Sequence, residues 1–490
     1  MFTKILVANR GEIACRVFRT LRVLGIAGVA VYHHEDRNAP HVALADEAVE
    51  LTGTVPTAAY LDRAQIVEAC RRTGAQAIHP GYGFLSENAD FAAYVSEAGL
   101  IFIGPDAATI RLMGDKIGSR NFAKAQGVPV APSVEPQGDL DAFLAAAEAI
   151  GFPLLIKASA GGGGKGMKIA RNTAELAENA KLARSEAERY FGDGRFYAER
   201  LVEHPRHIEI QVLGDGTGNV LHLYERECSI QRRYQKIVEE APAADLAPDL
   251  RDEICAAAVK LASAARYKNA GTIEFVLGPD GVFYFLEMNT RLQVEHPVTE
   301  AILGIDLVAA QIRIAAGQGL SWTQDQLQPS GHAIECRICA EEPEREFRPA
   351  TGRIGKLVIP SGDGIRFDGG IREGQAVTPS FDSMLAKLIA HGPDRATAAT
   401  RLAAALDGLV LLGVRTNGDY LARVLRHPAF LAGQLHTGFV AEHATELTAP
   451  PLPPEIETAL LAAAALEDSD FRRSVFAVPE PHASIGAWRN

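Results

Sequence analysis

The 490-residue sequence has little of what marks a membrane protein, an exported protein or a nucleic-acid-binding protein. No apolar run approaches the roughly 18 residues of a membrane span, and the longest Ala/Leu stretch covers only residues 458–466. A strand is predicted from residue 4 onward, so we expect no targeting peptide. The net charge of −12 argues against nucleic acid as the main partner, although it leaves room for local basic patches that bind phosphate.

Cysteine is also scarce, with six residues scattered along the chain, which is typical of a protein from a reducing compartment. Cys336 and Cys339 form a CxxC pair, but no second pair and no nearby histidine accompanies them. They fall in a predicted alternating strand, whose period would point them to opposite faces. We therefore expect neither a metal site nor a redox site there, and we expect the protein to be cytoplasmic.

The length predicts roughly two to four domains, and a composition of 47% hydrophobic and 22% charged residues is ordinary for a soluble globular protein. Residues 1–114 alternate strands and helices, which predicts a parallel sheet covered by helices. The first turn, residues 9–12, lacks a G-x-G-x-x-G, so a dinucleotide fingerprint is absent. The loop 80–88 follows the third predicted strand, and we expect it either to face a ligand or to cap a helix through Ser86 or Asn88.

An inserted segment, residues 131–203, carries a glycine loop between two predicted strands. The loop differs from a P-loop because Gly166 stands where that motif needs Ser or Thr, and because a strand follows it instead of a helix. Its four consecutive glycines allow backbone N–H groups to wrap phosphate and make the loop mobile, as a lid requires. Lys157 and Lys165 flank the glycines and favour phosphate binding over the alternative, a merely flexible hairpin.

Two β-rich runs flank Gly278-Pro-Asp-Gly281, which predicts a hairpin. If Asp-Gly forms the centre of a type I′ turn, Glu274 lies opposite Glu287. Two carboxylates that face each other repel unless a cation lies between them. With Asn289 one pleat further on, these oxygen donors suit Mg²⁺ or Mn²⁺ that shares its shell with phosphate oxygens. The sequence therefore predicts a two-sided metal clamp.

The stretch 287–298 alternates polar and apolar residues. In an extended backbone, the polar members lie on one face about 6.6 Å apart. They are Glu287, Asn289, Arg291, Gln293 and Glu295. A half-buried strand with a solvated face is the alternative. Nearby, residues 225–236 mix four cations with two acids, and beside a metal site such cations would bind an anionic substrate.

Beyond residue 330 the sequence predicts an α+β region, followed by a stiff Pro-rich linker, an Ala/Leu helix near residues 455–466 and an irregular tail. The whole chain is thus predicted to combine α/β and α+β domains. The predicted domains are 1–114, an α/β domain; 115–130 with 204–330, a central domain; 131–203, an inserted lid; 331–446, an α+β domain; and 447–490, a linker, helix and tail.

These motifs resemble the biotin carboxylase family of ATP-grasp enzymes over about residues 1–446. The matching segments are 5–14, 79–88, 157–167, 287–298, 335–338 and 381–387. The resemblance implies an ATP-grasp fold with an amino-terminal doubly wound α/β domain, a mobile glycine-rich lid and a central domain merged with a carboxyl-terminal α+β domain. It also implies ATP-dependent carboxylation of biotin by bicarbonate, through carboxyphosphate, as the first half-reaction of a biotin-dependent carboxylase.

The resemblance further implies roles for individual residues. ATP would be bound by Lys116, Lys157, Gly161, Gly162, Gly163, Gly164, Lys165, Gly166, Glu199, Leu201, His207, Gln231, Tyr234, Glu274 and Glu287. Two Mg²⁺ or Mn²⁺ ions would be held by Glu274, Glu287 and Asn289. Bicarbonate would be bound by Lys236, Arg291, Gln293, Val294 and Glu295. Biotin would be bound by Arg337 and Tyr82. The catalytic residues would be Arg291, Glu295 as general base, Arg337 as the stabiliser of the biotin enolate, and Lys236.

The sequence departs from the family at two positions near the nucleotide. Tyr234 stands where His or Asn is common, so an ionic contact is in doubt there while stacking stays open. Arg200 replaces a common Lys, and we expect a small effect because that contact would use mainly the backbone. Glu295 also has an alternative, structural role, since Arg291 and Lys236 would lower its pKa and weaken it as a base.

The resemblance implies a biotin carboxyl carrier domain or protein and a carboxyltransferase subunit as partners, and a homodimer of this unit. The chain has no Met-Lys-Met biotinylation site, so biotin would be a substrate on a separate carrier. Residues 430–440 resemble acyl-CoA carboxylase α chains of the methylcrotonyl- or propionyl-CoA type, and residues 486–490 resemble the onset of their next domain. A free-standing subunit and a domain cut from a longer chain both stay open, and the second is favoured.

Two other functions are open at this stage. Another ATP-grasp ligase, which joins a carboxylate to an amine through an acyl phosphate, would share the metal and lid residues but would leave Glu295, Arg337 and Lys236 unexplained. A non-catalytic subunit of a carboxylase is disfavoured because the polar residues from Glu274 to Glu295 are intact.

Overall fold

The computed structural model describes residues 1–136, 140–158, 167–191, 194–450 and 453–467. Contacts divide the chain into two units, Met1–Leu447 and Thr448–Asn490. Among the described residues, no helix combines the length and the apolar character needed to cross a membrane. The predicted glycine loop over residues 159–166 and the predicted irregular tail beyond residue 467 lie outside the described residues.

The first sheet is parallel and is covered by helices on both faces, as predicted. Its strands are β1 (Lys4–Val7), β2 (Ala27–Tyr32), β3 (Glu47–Glu50), β4 (Ala77–His79) and β5 (Ile101–Phe102), in the order β3-β2-β1-β4-β5. Its helices are α1 (Gly11–Val23), α2 (Pro40–Leu44), α3 (Pro56–Tyr60), α4 (Arg63–Thr73), α5 (Ala89–Glu97) and α6 (Ala107–Gly114). Ile5 and Val7 pack into the core beneath α1, whereas Leu6 packs into the opposite core, because successive strand side chains point to opposite faces.

A second, smaller sheet follows helix α7 (Lys116–Ala125). Its elements are β6 (Ser133–Val134), α8 (Leu140–Glu148), β7 (Leu154–Ala158), β8 (Lys168–Ala170), α9 (Thr173–Phe191) and β9 (Phe196–Arg200). The strands are antiparallel in the order β6-β9-β7-β8. They bury their own small core around Phe143, Ile156 and Phe196, so the inserted segment packs as a module.

The third sheet has eight antiparallel strands and carries most of the site. Its first strands and their helices are β10 (Arg206–Asp215), β11 (Val220–Arg232), β12 (Gln235–Ala241), α10 (Pro248–Ala264), β13 (Lys268–Leu277), β14 (Phe283–Asn289), α11 (His296–Leu303) and α12 (Leu307–Ala315). The remaining elements of this unit are β15 (His332–Cys339), β16 (Glu341–Glu342), β17 (Arg348–Pro349), β18 (Gly352–Arg353), β19 (Lys356–Val358), β20 (Ile365–Gly369), β21 (Ala376–Val377), β22 (Met384–Gly392), α13 (Arg395–Gly408), β23 (Val410–Leu412), α14 (Gly418–Arg426), α15 (Pro428–Leu431), α16 (Phe439–Glu442) and α17 (Ala444–Leu447). The described part of the second unit forms α18 (Pro454–Glu467).

The order of this third sheet is β14-β13-β10-β11-β12-β15-β22-β20. Strand β12 pairs with β15 through Glu239 opposite Glu335, so one continuous sheet crosses residue 330, where a domain boundary was predicted. The family resemblance implies that the central and carboxyl-terminal regions are merged. They are merged because their strands pair in one sheet.

The hairpin of β13 and β14 places Glu274 opposite Glu287, as predicted, but its turn is not type I′. The Gly281 N–H donates to the Gly278 carbonyl at 3.0 Å, so Pro279 and Asp280 are the central residues, and Gly281 follows with φ +80°. The loop thus has three residues and is one longer than predicted. A bulge at Leu286 of β14, between the partners of Glu274 and Phe275, absorbs the difference, so the carboxylates still face each other.

Candidate active site

Lys236 on β12 lies at the centre of the site. Its Nζ donates to Glu209 Oε2 at 2.6 Å, to Glu274 Oε1 at 2.8 Å and to Glu295 Oε1 at 2.6 Å. Glu209 and Glu274 are direct neighbours on β10 and β13, which brings their side chains to one face of the sheet. Burial would lower the pKa of Lys236, but these three carboxylates raise it well above its usual value. The ammonium group is therefore a fixed positive charge.

The two carboxylates beside Lys236 that were predicted to function are both held ionised. Burial would raise the pKa of Glu274, but Lys236 and His207 lower it far below its usual value, and the His207 Nε2 lies 3.0 Å from Glu274 Oε2. Burial would likewise raise the pKa of Glu295, and Lys236, Arg337 and Arg226 lower it. The predicted direction for Glu295 is confirmed. Lys236 lowers its pKa as predicted, Arg337 and Arg226 add to that effect, and Arg291 also interacts electrostatically with Glu295.

The extended backbone predicted over residues 287–298 is wrong beyond Asn289. Strand β14 ends there, residues 290–295 form an irregular turn, and α11 begins at His296. Pro297 lies in the first turn of α11, where proline is pre-organised for a helix, so the end of the stretch favours a helix over a strand. The polar residues therefore converge through a turn and not along one strand face.

Arg291 ties this turn together. Its Nη2 donates to Asn289 Oδ1 at 2.9 Å and its Nη1 to Gln293 Oε1 at 2.6 Å. The Gln293 Nε2 donates in turn to Glu274 Oε1 at 3.0 Å. The Arg291 Nε donates to Glu87 Oε2 at 2.8 Å, which connects the turn to the loop after β4. In that loop Asn88, not Ser86, caps helix α5 by accepting from the Phe91 N–H.

Arg337 on β15 lies between two carboxylates. Its Nε donates to Glu239 Oε1 at 2.5 Å, and its Nη2 donates to Glu295 Oε2 at 3.0 Å. Glu295 thus binds Lys236 with one oxygen and Arg337 with the other. Burial would lower the pKa of Arg337, but Glu239 and Glu295 raise it above its usual value, so the guanidinium stays charged.

A second group of predicted residues lies where the small sheet approaches the large one. Lys157 on β7 is buried, and its Nζ lies 2.5 Å from Glu199 Oε1 on the neighbouring strand β9. Lys116 is the first residue of α7. Burial lowers its pKa, although the negative charge of Glu287 acts in the opposite direction. Burial and the charge of Glu274 raise the pKa of Glu287 itself. These residues form a partly buried mixture of charges that suits a phosphate group with a cation.

The remaining nucleotide candidates line strand ends near this group. Leu201 follows β9, and its N–H donates to the Pro153 carbonyl at 2.9 Å. The Gln231 Nε2 lies 2.9 Å from His207 Nδ1. Tyr234 is half exposed at the turn of the β11–β12 hairpin, where it and Arg233 both have positive φ, as the two central residues of a type I′ turn require. The predicted residues Gly161, Gly162, Gly163, Gly164, Lys165 and Gly166 lie outside the described residues.

Glu274, Glu287 and Asn289 fit a divalent cation by their chemistry. All three supply oxygen, and the facing carboxylates carry a repulsion that a cation would relieve. The Asn289 Nδ2 donates to Glu274 Oε1 at 2.9 Å and its Oδ1 accepts from Arg291 Nη2, so the amide lies directly beside a carboxylate of the pair. His207, Glu209 and Glu274 also lie with ligand atoms within 4.8 Å of one another, which adds further donors to this corner.

Tyr82, a predicted biotin contact, lies in the loop after β4. Its Oη donates a short hydrogen bond to Glu12 Oε1 on α1. Burial raises the pKa of Glu12 to about 7, partly offset by Lys387 at 3.5 Å. No hydrogen bond links Tyr82 directly to Arg337, the other predicted biotin contact, among the described residues.

Sequence reasoning missed several residues that support the site. Arg226 is fully buried and donates to Glu209 Oε1 at 2.5 Å, and Lys387 is fully buried and donates to the Val294 carbonyl at 2.7 Å. The missed residues are Glu87, Glu209, Arg226, Glu239 and Lys387. Glu209 had a signal, since it alternates with His207 and Gln211 on one strand face, and Arg226 belongs to the charged run 225–236.

The small sheet with Lys157 and the large antiparallel sheet with the carboxylate pair define an ATP-grasp enzyme. Three family models match the chain. They are "Biotin carboxylase, N-terminal domain" over residues 1–110, "Carbamoyl-phosphate synthase L chain, ATP binding domain" over residues 115–323 and "Biotin carboxylase C-terminal domain" over residues 335–442. The chain is 49% identical to the biotin carboxylase of Nostoc sp. (strain PCC 7120) over 442 residues, which cover 90% of this chain and 99% of that protein. The chain belongs to the biotin carboxylase family.

Longer relatives and solved structures agree with this placement. The mitochondrial methylcrotonoyl-CoA carboxylase subunit alpha of Dictyostelium discoideum is 44% identical over 99% of this chain and 70% of its own length. The biotin carboxylase domain dimer of Hydrogenobacter thermophilus 2-oxoglutarate carboxylase, solved with MgADP, ADP and bicarbonate, superposes with a TM-score of 0.89. That structure is 46% identical and covers 92% of this chain and 100% of its own. A Campylobacter jejuni biotin carboxylase complex gives a TM-score of 0.87 at 39% identity, over 90% of this chain and 99% of its own.

Proposed function

We propose that the protein carboxylates biotin with bicarbonate at the cost of ATP, through carboxyphosphate. The observation that carries the proposal is the chain of contacts from Lys236 to Glu295 to Arg337, with Glu274 on the same ammonium group. It joins an anion-binding lysine, an ionised base and a fixed cation beside a carboxylate pair suited to metal-bound phosphate. In a ligase that acts on an amine, Glu295 as a base for bicarbonate and Arg337 as a cation for the biotin enolate would have no role.

ATP is bound between the small and large sheets. Lys116, Lys157, Glu199 and Leu201 bind ATP, and the glycine loop is assigned to its phosphates from the family resemblance. His207, Gln231 and Tyr234 complete the set at the edge of the large sheet. In support, the charge of Glu287 acts on both Lys116 and Lys157, and the charge of Glu274 acts on Lys116.

Two Mg²⁺ or Mn²⁺ ions are held by Glu274, Glu287 and Asn289. When bound, they neutralise charge on the terminal phosphates of ATP. The protein contributes fixed oxygens on adjacent strands for this task.

Bicarbonate binds in the turn 290–295, where Arg291, Gln293, Lys236 and the Val294 backbone surround it. An oxygen of bicarbonate attacks the γ-phosphorus, the bond from phosphorus to ADP breaks, and Glu295 takes the bicarbonate proton. Glu295 alone is a weak base because Lys236 and Arg337 lower its pKa. A bound anion that draws these two cations toward itself weakens their hold on Glu295, which raises its basicity in the complex.

Carboxyphosphate then breaks its bond between carbon and the bridging oxygen, giving CO₂ and phosphate. The phosphate takes the N1 proton of biotin, and the resulting enolate attacks CO₂. Arg337 stabilises the enolate oxygen as a cation that stays charged at any working pH. Tyr82, whose Oη donates to Glu12 Oε1, is assigned to biotin from the family resemblance.

Biotin reaches this site on a carrier domain or protein, and a carboxyltransferase uses the product. A homodimer is the assembly we propose for this unit, supported by the dimer named for the Hydrogenobacter thermophilus structure. We place the protein in the cytoplasm because all six cysteines are free thiols. For the domains, we propose the limits predicted from the sequence, with boundaries at residues 114, 130, 203, 330 and 446.

The test is ADP release by the whole chain with and without bicarbonate and with and without free biotin. We expect ADP release to require bicarbonate and to accelerate when biotin is added. In Arg337→Ala, bicarbonate-dependent ATP cleavage should persist while carboxybiotin formation falls by about 10²–10³-fold, the loss typical of removing one charge-stabilising group. Turnover that depends on an amine and ignores biotin would refute the proposal, and equal loss of both activities in the variant would refute the role of Arg337.

A further inference from the structure

Glu239 is a buried carboxylate of β12 that the reaction described above does not use. Its Oε1 accepts the hydrogen bond of Arg337 Nε at 2.5 Å, and it is fully shielded from solvent. Among the described residues, its Oε2 has no hydrogen-bond partner. A buried anion costs free energy unless it is paired, so its one strong contact, to Arg337, is what holds it there.

Arg337 therefore has two anionic acceptors, and these differ in what happens to them. Glu295 takes a proton from bicarbonate in the proposed first step and becomes neutral. Protonation of Glu295 removes the attraction between two opposite charges, so the bond from Arg337 Nη2 to Glu295 weakens at that moment. Glu239 takes no part in the proton transfer, and its bond to Arg337 Nε persists.

We infer that Glu239 is a positioning residue that keeps Arg337 in place while Glu295 changes its charge. The inference rests on the proposed function, because it needs Glu295 as the base and Arg337 as the partner of the biotin enolate. It predicts that Glu239 matters to carboxyl transfer onto biotin and not to the earlier cleavage of ATP.

The opposite strand supplies a natural comparison for Glu239. Glu335 of β15 pairs directly with it, is equally buried, and is not hydrogen-bonded to Arg337. Both Glu335 oxygens lack a hydrogen-bond partner among the described residues. Two carboxylates thus face each other across the ladder, and only Glu239 engages the guanidinium.

The titratable groups around Glu239 come from four elements. They are Arg337, Glu335 and Cys336 on β15, Glu295 in the turn before α11, Cys228 on β11, and Lys236 on its own strand. Burial raises the pKa of Glu239 to about 7, with Arg337 acting against it. The ion pair between Glu239 and Arg337 is therefore strongest above neutral pH, where the Glu239 carboxyl is ionised.

The experiment shortens each carboxylate by one methylene, in Glu239→Asp and, as the matched control, Glu335→Asp. Both retain an acid in the same strand pair, and thermal unfolding checks that both fold. For each, ADP release with bicarbonate alone is compared with carboxybiotin formation at saturating free biotin. We expect Glu239→Asp to lose about tenfold to a hundredfold in carboxybiotin formation, as a small misplacement of a reacting group does, and less than threefold in biotin-independent ADP release.

Glu335→Asp should keep the wild-type ratio of the two activities. Glu239→Gln, whose amide oxygen still accepts from Arg337, should recover part of the loss at pH 7 and should show a weaker pH dependence of carboxybiotin formation between pH 6 and 8. An unchanged ratio in Glu239→Asp, or the same shift in Glu335→Asp, would overturn the inference. Failure of the wild-type protein to couple ADP release to bicarbonate would instead refute the proposed function, so the two failures are distinguishable.

Discussion

The two ends of the site are built differently. At the bicarbonate end, Lys236, Glu295 and Arg337 each contact at least two oppositely charged groups within 3.0 Å. At the nucleotide end, Glu287 and the Lys116 ammonium have no side-chain hydrogen bond to any described residue, and Lys157 has the single partner Glu199. The bicarbonate end is therefore organised before any ligand binds, whereas the nucleotide end holds charges that a phosphate and its cation would pair.

This difference has a physical cause in the reaction proposed. Bicarbonate is small and offers few contacts, so its site must be preformed by groups that fix one another. ATP is large and highly charged, so it can supply the partners that the nucleotide end lacks. Substitutions at the bicarbonate end should thus cost stability of the free protein, and substitutions at the nucleotide end should cost ligand binding.

The largest effect is expected from removing the central cation. Lys236→Met leaves Glu209, Glu274 and Glu295 buried together without their shared partner, which should lower the free energy of unfolding by about 3–5 kcal/mol. Lys116→Met is the matched control at the nucleotide end, where we expect less than about 1 kcal/mol and a raised KM for ATP. Urea unfolding at pH 7 without ligands measures both. Equal losses in the two variants would remove the distinction between the two ends.

Glu287→Gln probes the metal corner of the nucleotide end. Burial and Glu274 raise the pKa of Glu287, so neutralising it relieves a repulsion and should leave the free protein as stable as before or slightly more so. Binding of Mn²⁺ with ATP should weaken by tenfold or more, since even indirect metal partners are worth about 10–100-fold. Titration of Mn²⁺ followed by its electron paramagnetic resonance signal gives the affinity. Unchanged Mn²⁺ affinity would remove Glu287 from the metal clamp.

Glu335→Gln should reveal a buried neutral acid through the pH dependence of stability. Burial raises the pKa of Glu335 well above its usual value, so the folded protein keeps a proton that the unfolded chain releases. Wild-type stability should therefore fall as pH rises above the unfolded pKa of about 4.3 toward the raised value, and the amide variant escapes this loss. The stability of the variant relative to wild type should rise with pH, by at most about 1.4 kcal/mol per pH unit. A difference that is flat from pH 5 to 8 would contradict this assignment.

The smallest effect is expected at the turn beside the nucleotide end. Tyr234 has φ +66°, a conformation that Asn tolerates better than Tyr. Tyr234→Asn should stabilise the protein by up to about 1 kcal/mol, seen as a higher Tm. If the exposed ring stacks on the nucleotide, the KM for ATP should rise at the same time; a KM that stays constant would show that Tyr234 acts only in the turn.

Local patterns in the sequence predicted the parallel first sheet, the lid strands and the pairing of Glu274 with Glu287. The pairing of Glu274 with Glu287 is confirmed although the turn has a different type, because a bulge compensates for the longer loop. The backbone after Asn289 was mispredicted because the polar alternation continues through a turn and up to the start of α11, so the pattern does not mark where the strand ends. Glu239 and Glu335 escaped notice because their pairing joins β12 to β15 across the predicted domain boundary, and no local pattern records such a distant contact.

The central claim is that the segment from Glu287 to Glu295 brings the terminal phosphate of ATP and bicarbonate side by side, so that a bicarbonate oxygen attacks phosphorus. The most direct measurement uses bicarbonate labelled with ¹⁸O, ATP and biotin, with mass analysis of the phosphate before label exchanges with water. The account predicts one labelled oxygen in each phosphate formed, because the attacking oxygen stays on phosphorus when carboxyphosphate breaks down. Unlabelled phosphate at full ADP release would mean that water attacks ATP, and would contradict the account.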